Sequence, residues 1–210
     1  VTSGRDSNRG GCIQSCRHPY QLSNGDELHV MNSKDLQGLA LIPDYFKYQV
    51  DAVKIEGRMK SALYVANAVQ QYREAIDTFA MSPDAFNDRI NEWTGHLGQV
   101  SNRGFTPASL VNPASTSSIS YEWNGYSQSI QLMGIVKHRS NSQSLIEVKN
   151  PIQSGSTLQI LSPHQPPTRI ESIQCVSLSG KIKPSLNPNE CGWVNHSIPE
   201  NSILIQESHS

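Results

Sequence analysis

The character of the chain changes near residue 119, and that change limits the folds open to it. Before it, apolar residues recur at helical spacing; after it, they alternate in short runs. The segment SALYVANAVQQYREAIDTFA (61–80) carries the helical signal most clearly. Leu63, Ala66, Val69, Tyr72, Ile76 and Phe79 recur every three or four residues, which predicts an amphipathic helix with that face turned inward. ELHVMN (27–32) and DAVKIEG (51–57) predict short strands. The stretch 33–50 predicts a helix capped by Ser33 and divided by Pro43, and 83–93 a shorter helix behind Pro83. Residues 1–26, punctuated by glycine, proline and Asn24-Gly25, read as loop.

A strand–helix–strand–helix order implies parallel strands and an α/β architecture. Two such units are too few to close a barrel or make a stable sheet. The expectation is therefore that this is a fragment of a longer chain, with the missing strands lying before Val1. Beyond 119, QLMGIVKHR, SLIEVKN, STLQILSP, TRIESIQCVSL and SILIQES are broken by Gly, Pro, Ser and Asn at roughly ten-residue intervals. That pattern predicts a small antiparallel β-barrel or sandwich. TPASLVNPASTSS (106–118) has the composition of a linker. The expected domains are 1–112, α/β, and 113–210, all-β.

Charged residues make up 17% of the chain and the net charge is −1, so polarity comes from Ser, Asn and Gln and no global basic field exists. Contact with a nucleic acid would have to be local. No apolar run reaches the length of a membrane span, and no signal peptide is visible. Four cysteines in a chain of this length read as reduced thiols of a cytoplasmic protein.

Three stretches could carry chemistry. In DAVKIEGRMKS a strand would turn Val53 and Ile55 to one face and Lys54 and Glu56 to the other. In a barrel the apolar face meets the helices, so Lys54 and Glu56 would face the lumen. Arg58 would follow at the carboxyl end, where such folds place active sites. This cluster suits binding a carboxylate or phosphate, with Glu56 orienting a cation or taking a proton; a buried ion-pair network would use the same residues. Cys12 and Cys16 are spaced to ligate one metal or two corners of an iron–sulfur cluster, with Arg5, Arg9 and Arg17 favouring thiolates. Two free thiols in a loop are the other reading. Ser-Asn-Arg-Gly occurs at 7–10 and at 101–104; it suits phosphate contact or a turn.

GRDSNRGGCIQSCR, MNSKDL, VKIEGRMKSALYVANAVQQYREAID and VSNRGFT together resemble the peptidase family U32, the collagenase-like proteases. The resemblance covers residues 3 to about 106 and extends weakly through 148–163. It implies a (β/α) barrel of which this chain holds the final part, followed by a small β-barrel. Several bacterial relatives are RNA hydroxylation proteins. The motif run is most similar to the branch that makes 5-hydroxyuridine in tRNA and depends on prephenate, an anionic co-substrate. The resemblance also implies a [4Fe–4S] cluster on four cysteines, two matching Cys12 and Cys16 and two lying upstream. Lys54, Glu56 and Arg58 are then the expected catalytic group, and Arg9, Asn32, Lys34, Lys60 and Arg103, within the same motifs, the expected substrate contacts. The expected partners are tRNA or another RNA and the upstream part of the same barrel, with no membrane. A peptidase is the alternative, although no Ser–His–Asp, Cys–His or HExxH arrangement stands in a convincing context; a non-catalytic binding module is the third reading.

Overall fold

The computed structural model describes residues 14–57, 60–122, 125–163 and 165–207. The chain divides into two compact units that alternate along the sequence, one formed by 1–38 with 102–127 and the other by 39–101 with 128–210.

The first unit is made of short pieces. Strands β1 (Tyr20–Gln21) and β2 (Glu27–Leu28) form an antiparallel hairpin. Its turn uses Asn24-Gly25, where Gly25 sits at φ 92 and the Asn24 side chain accepts from the Asp26 N–H at 3.1 Å. A left-handed residue is what such a turn requires, and glycine supplies it without strain. Strand β3 (Asp35–Leu36) pairs in parallel with β4 (Phe105–Thr106), joining positions 70 residues apart. Among the described residues this is the extent of parallel pairing, so the βα units of a barrel are not seen as such. The segment read as a linker ends in an ordered turn at Thr116–Ser118, where Ser118 is buried and its carbonyl accepts from the Lys34 N–H.

The second unit holds the helices and the large sheet. Helix α1 (Ile42–Lys47) starts rather than breaks at Pro43, which lies in its first turn, where a missing N–H costs nothing. The helix expected from Ser33 is therefore replaced by strand β3 and a 3-10 turn at Leu39–Leu41. Helix α2 (Ala62–Met81) is capped by the Ser61 side chain, and α3 (Pro83–Gln99) by that of Ser82. The buried face of α2 differs from the one predicted: Leu63, Asn67, Ala68, Gln71 and Ala75 point inward, while Val65 and Val69 are exposed. Two polar side chains can be inside because α3 satisfies them. Asn67 donates to the His96 carbonyl at 2.8 Å, Gln71 donates to Asn67, and His96 Nδ1 meets Gln71 Oε1 at 3.1 Å. At the other end of the pair, Phe46, Phe79, Phe86 and Trp93 stack in sequence, with Arg89 over the Trp93 ring.

Ten strands follow: β5 (Ile130–Arg139), β6 (Ser144–Val148), β7 (Ile152–Gln153), β8 (Leu158–Leu161), β9 (Thr168–Ile170), β10 (Cys175–Val176), β11 (Ile182–Lys183), β12 (Ser185–Leu186), β13 (Cys191–Val194) and β14 (Ile203–Glu207). Eight of them make one antiparallel sheet in the order β11-β10-β13-β6-β5-β14-β8-β9, with β7 and β12 as a separate pair. Val136, Ile146, Ile152, Leu158, Leu186, Val194 and Leu204 all reach one core, so the sheet curls around it. Among the described residues it remains open, with β9 and β11 as edges, a half-barrel where a small antiparallel β-barrel or sandwich was expected. Two glycines permit the curl. A Cβ at Gly134 would collide with the Ile146 side chain, and one at Gly192 with Leu186. A second apolar cluster, Leu63, Val100, Ile130, Leu161, Ile203 and Ile205, packs α2 onto the sheet.

Candidate functional site

The β3–β4 ladder brings two separated motifs side by side. The Asp35 N–H donates to the Gly104 carbonyl and the Gln37 N–H to Thr106, both at 2.9 Å, so MNSKDL and SNRGFT lie edge to edge. Gly104 takes φ +77, and Asn102 Oδ1 accepts from its N–H at 2.9 Å. This tight bend directs Arg103 back onto β3. Its Nε and Nη2 donate to Asp35 Oδ1 at 3.1 and 2.8 Å, its backbone N–H to Asp35 Oδ2, and its Nη1 to Asn32 Oδ1 at 3.3 Å. Asn32, fully buried, donates in turn to the Ser120 carbonyl.

The Arg103 and Asp35 side chains are 14% and 7% exposed. A pair this sheltered is held by its geometry, because removing either partner strands a charge away from water. Three of the five guanidinium N–H groups are spent on Asp35 and Asn32; among the described residues the other two meet no acceptor. The Lys34 methylenes run alongside Gly104, where an added Cβ would sit 3.7 Å from Lys34 Cδ. In the same unit Cys16 lies half-buried in a 3-10 turn, Ser15–Arg17, and the Arg17 guanidinium stands 5.1 Å from the centre of the Tyr126 ring. The arrangement offers a fixed guanidinium and a nearby ammonium stem, a combination suited to a phosphate or carboxylate.

Of the residues singled out in the sequence, Asn32, Lys34 and Arg103 thus come together. Lys60 is engaged elsewhere: its Nζ donates to the Ser101 carbonyl at 2.9 Å and stands 4.8 Å from the Tyr64 ring centre, at the start of α2. Lys54 and Glu56 are paired with each other at 3.7 Å and are 87% and 71% exposed. Residues 51–57 form no strand; among the described residues no strand pairs with them, only the Gly57 carbonyl accepting from the Lys60 N–H at 2.9 Å, and without a ladder the alternation of Lys and Glu settles into solvent. The inward-facing carboxylate expected at Glu56 is corrected accordingly. Arg9, Cys12 and Arg58 lie outside the described residues.

Sequence reasoning passed over Asp35. The signal available was an acid at the head of LQGLALI, in a stretch whose one other charge is Lys34, since an acid that leads into an apolar run needs a partner. The partner is 68 positions away, beyond any local pattern.

Among the described residues no three His, Cys, Asp or Glu side chains gather where a metal ion could sit. Cys175 is buried and directs its thiol to the Ile152 carbonyl, and Cys191 is exposed on β13. These residues do not by themselves fit an iron–sulfur cluster. The ring nitrogens of His96, His138 and His196 meet Gln71, Glu200 and the Glu171 carbonyl, none of them a nucleophile. No helix among the described residues is long and apolar enough to cross a membrane.

tRNA hydroxylation protein P1 of Bacillus subtilis is 29% identical over 77% of this chain, and tRNA hydroxylation protein P of Escherichia coli 33% over 72%. A collagenase of Porphyromonas gingivalis is 34% identical over 47%. The chain spans 41%, 34% and 29% of the lengths of these relatives. A solved C-terminal domain of a Geobacillus thermoleovorans U32 peptidase aligns with 38% of the chain at 11% identity and a TM-score of 0.34, covering 93% of that domain. Residues 1–120, which contain the whole Asn32–Asp35–Arg103 arrangement, match Peptidase family U32, and the chain belongs to that family.

Proposed function

We propose that this chain is part of a tRNA-modifying protein that hydroxylates uridine, and that the Asn32–Asp35–Arg103 arrangement binds an anionic group of the RNA or of a small co-substrate such as prephenate. One observation carries the reading. The two tRNA hydroxylation proteins align with 77% and 72% of the chain, shares too large to fit within residues 1–120, so the likeness continues into the sheet. In this reading Asp35 and Asn32 fix the Arg103 guanidinium, and its remaining N–H groups, with Lys34, face the anion. Lys54, Glu56 and Arg58 supply further polar contacts, the first two from an exposed stretch, and helices α2 and α3 belong to the outer layer of a (β/α) barrel in the longer protein. Cys12 and Cys16 would be two of the four ligands of a [4Fe–4S] cluster, which would bring redox chemistry. Of the two, Cys16 is the one among the described residues, and no group of three His, Cys, Asp or Glu side chains gathers among those residues.

Deletion of the gene is expected to remove hydroxylated uridine from tRNA. The full-length gene is expected to restore it, and the same gene carrying Arg103→Gln to restore far less. Mass spectrometry of tRNA nucleosides reads the result, and an unchanged profile in the deletion strain overturns the proposal. The collagenase of P. gingivalis supports a second reading, peptide hydrolysis, over a share of the chain no larger than the family-matched segment. Gelatin cleavage by the purified full-length protein, abolished by Glu56→Gln, would favour it.

A further inference from the structure

The outer face of the curled sheet carries a row of side chains that the core does not use. A strand bulge creates it. Val136 pairs with Ile146 and His138 with Leu145, so β5 spends two residues where β6 spends one. Such a bulge re-aims side chains, and here Lys137 and His138 are both exposed. Following the register outward, His138 stands opposite Leu145, Leu145 opposite Trp193, Trp193 opposite Val176 and Val176 opposite Ile182. One row thus crosses β5, β6, β13, β10 and β11. It is apolar or aromatic along its length, with Leu145 and Trp193 half-buried, Val176 buried and Ile182 69% exposed at its edge. The His138 and Trp193 rings meet edge to face, 6.3 Å between centres.

Cations gather at the β5–β6 side of the row. Lys137 and Lys149 share a single carboxylate, Glu147, the Lys137 contact being 2.7 Å. Two ammoniums on one carboxylate leave a positive excess, and their hydrogen bonds hold the Glu147 pKa down to about 2. Arg139 spends its Nε on the Ser197 hydroxyl and keeps its charge; Glu200 accepts from the Arg139 backbone and meets His138.

We propose that this face binds single-stranded RNA, one base stacking on Trp193 beside His138 and the backbone phosphates lying along Lys137, Lys149 and Arg139. The inference rests on the tRNA reading above and adds a surface to it. A row of apolar and aromatic side chains across a sheet, open to solvent at His138 and in part at Trp193 and bordered by cations, is the arrangement that holds unpaired bases by their faces and phosphates by charge. A duplex hides its base faces and gains little from it.

Fluorescence anisotropy of the full chain with a short labelled oligouridylate, and with a duplex of equal length, tests the proposal. Trp193→Ala is expected to weaken oligouridylate binding by roughly tenfold and Trp193→Phe to retain most of it. Lys137→Gln with Lys149→Gln should flatten the salt dependence of binding by about one unit of slope per charge removed; this pair carries the test if Trp193→Ala does not fold. Unaltered binding by the Trp193 and lysine variants, or a duplex bound as tightly as the single strand, would overturn it. So would a Trp193→Ala protein that sediments as a smaller species than the wild type, because a second copy would then cover the face. If nucleoside profiles need the gene but these variants bind normally, the platform fails and the tRNA reading stands. If profiles do not need the gene while Trp193→Ala still loses oligouridylate, the reverse holds.

Discussion

Asp35 shows what one residue can fix. It takes three hydrogen bonds from Arg103 and thereby pins a strand to a loop far along the chain. Asp35→Ala should lower unfolding stability by about 3 kcal/mol, since it strands a mostly buried guanidinium. Asp35→Ala with Arg103→Met should recover part of that loss in chemical denaturation, because the stranded charge is then gone. Glu147 makes a different prediction. Lys137 and Lys149 hold its pKa at about 2 against an ordinary 4.5. A depressed carboxylate pKa adds stability above pH 4.5, and that contribution is lost as pH falls through 2. Carboxyl chemical shifts followed by NMR should therefore give Glu147 a midpoint near 2, moving upward in Lys137→Gln. Residue types told part of this in advance: Asn32, Lys34 and Arg103 stand in motifs that suggest anion contact, and the fold does assemble them. What the sequence could not show is that Asp35 organises them, nor that Lys54 and Glu56 would turn to solvent, because both outcomes depend on what lies opposite.

Elements were legible in proportion to how local their causes are. Helices α2 and α3 follow from spacing, from Ser61 and Ser82 as caps, and from Pro83. Ser82 serves both helices. Its N–H closes the last turn of α2 on the Thr78 carbonyl, and its side chain accepts from Ala85 in the first turn of α3. Ser82→Ala should therefore cost about 1 kcal/mol, read as a lower thermal midpoint by circular dichroism. The rotation of α2 was misread for a physical reason. Periodicity places apolar residues inside, but His96 and Gln71 supply hydrogen bonds that let Asn67 take a buried position, leaving Val69 outside. The longer strands, β5, β6, β8 and β14, coincide with alternating runs. The two-residue strands β7, β11 and β12 carry too few residues to show alternation, and β13, with Gly192 inside, breaks the pattern.

At the scale of the molecule, the compositional change near residue 119 separates helix-forming from strand-forming sequence, but compactness follows another division. Helices α1 to α3 share a unit with the sheet, whereas residues on both sides of them along the chain form the other. Leu63 and Val100 meet Ile130, Leu161 and Ile203 in one apolar cluster, which local pattern had no means to foretell. That alternation has a consequence for the order of events on the ribosome. Asp35 waits for Arg103, and Asn32 for Ser120, so the Asn32–Asp35–Arg103 corner cannot close until residues 39–101 have been made. Early peptide must be held open while later peptide emerges, which makes this corner a late and slow arrival in folding.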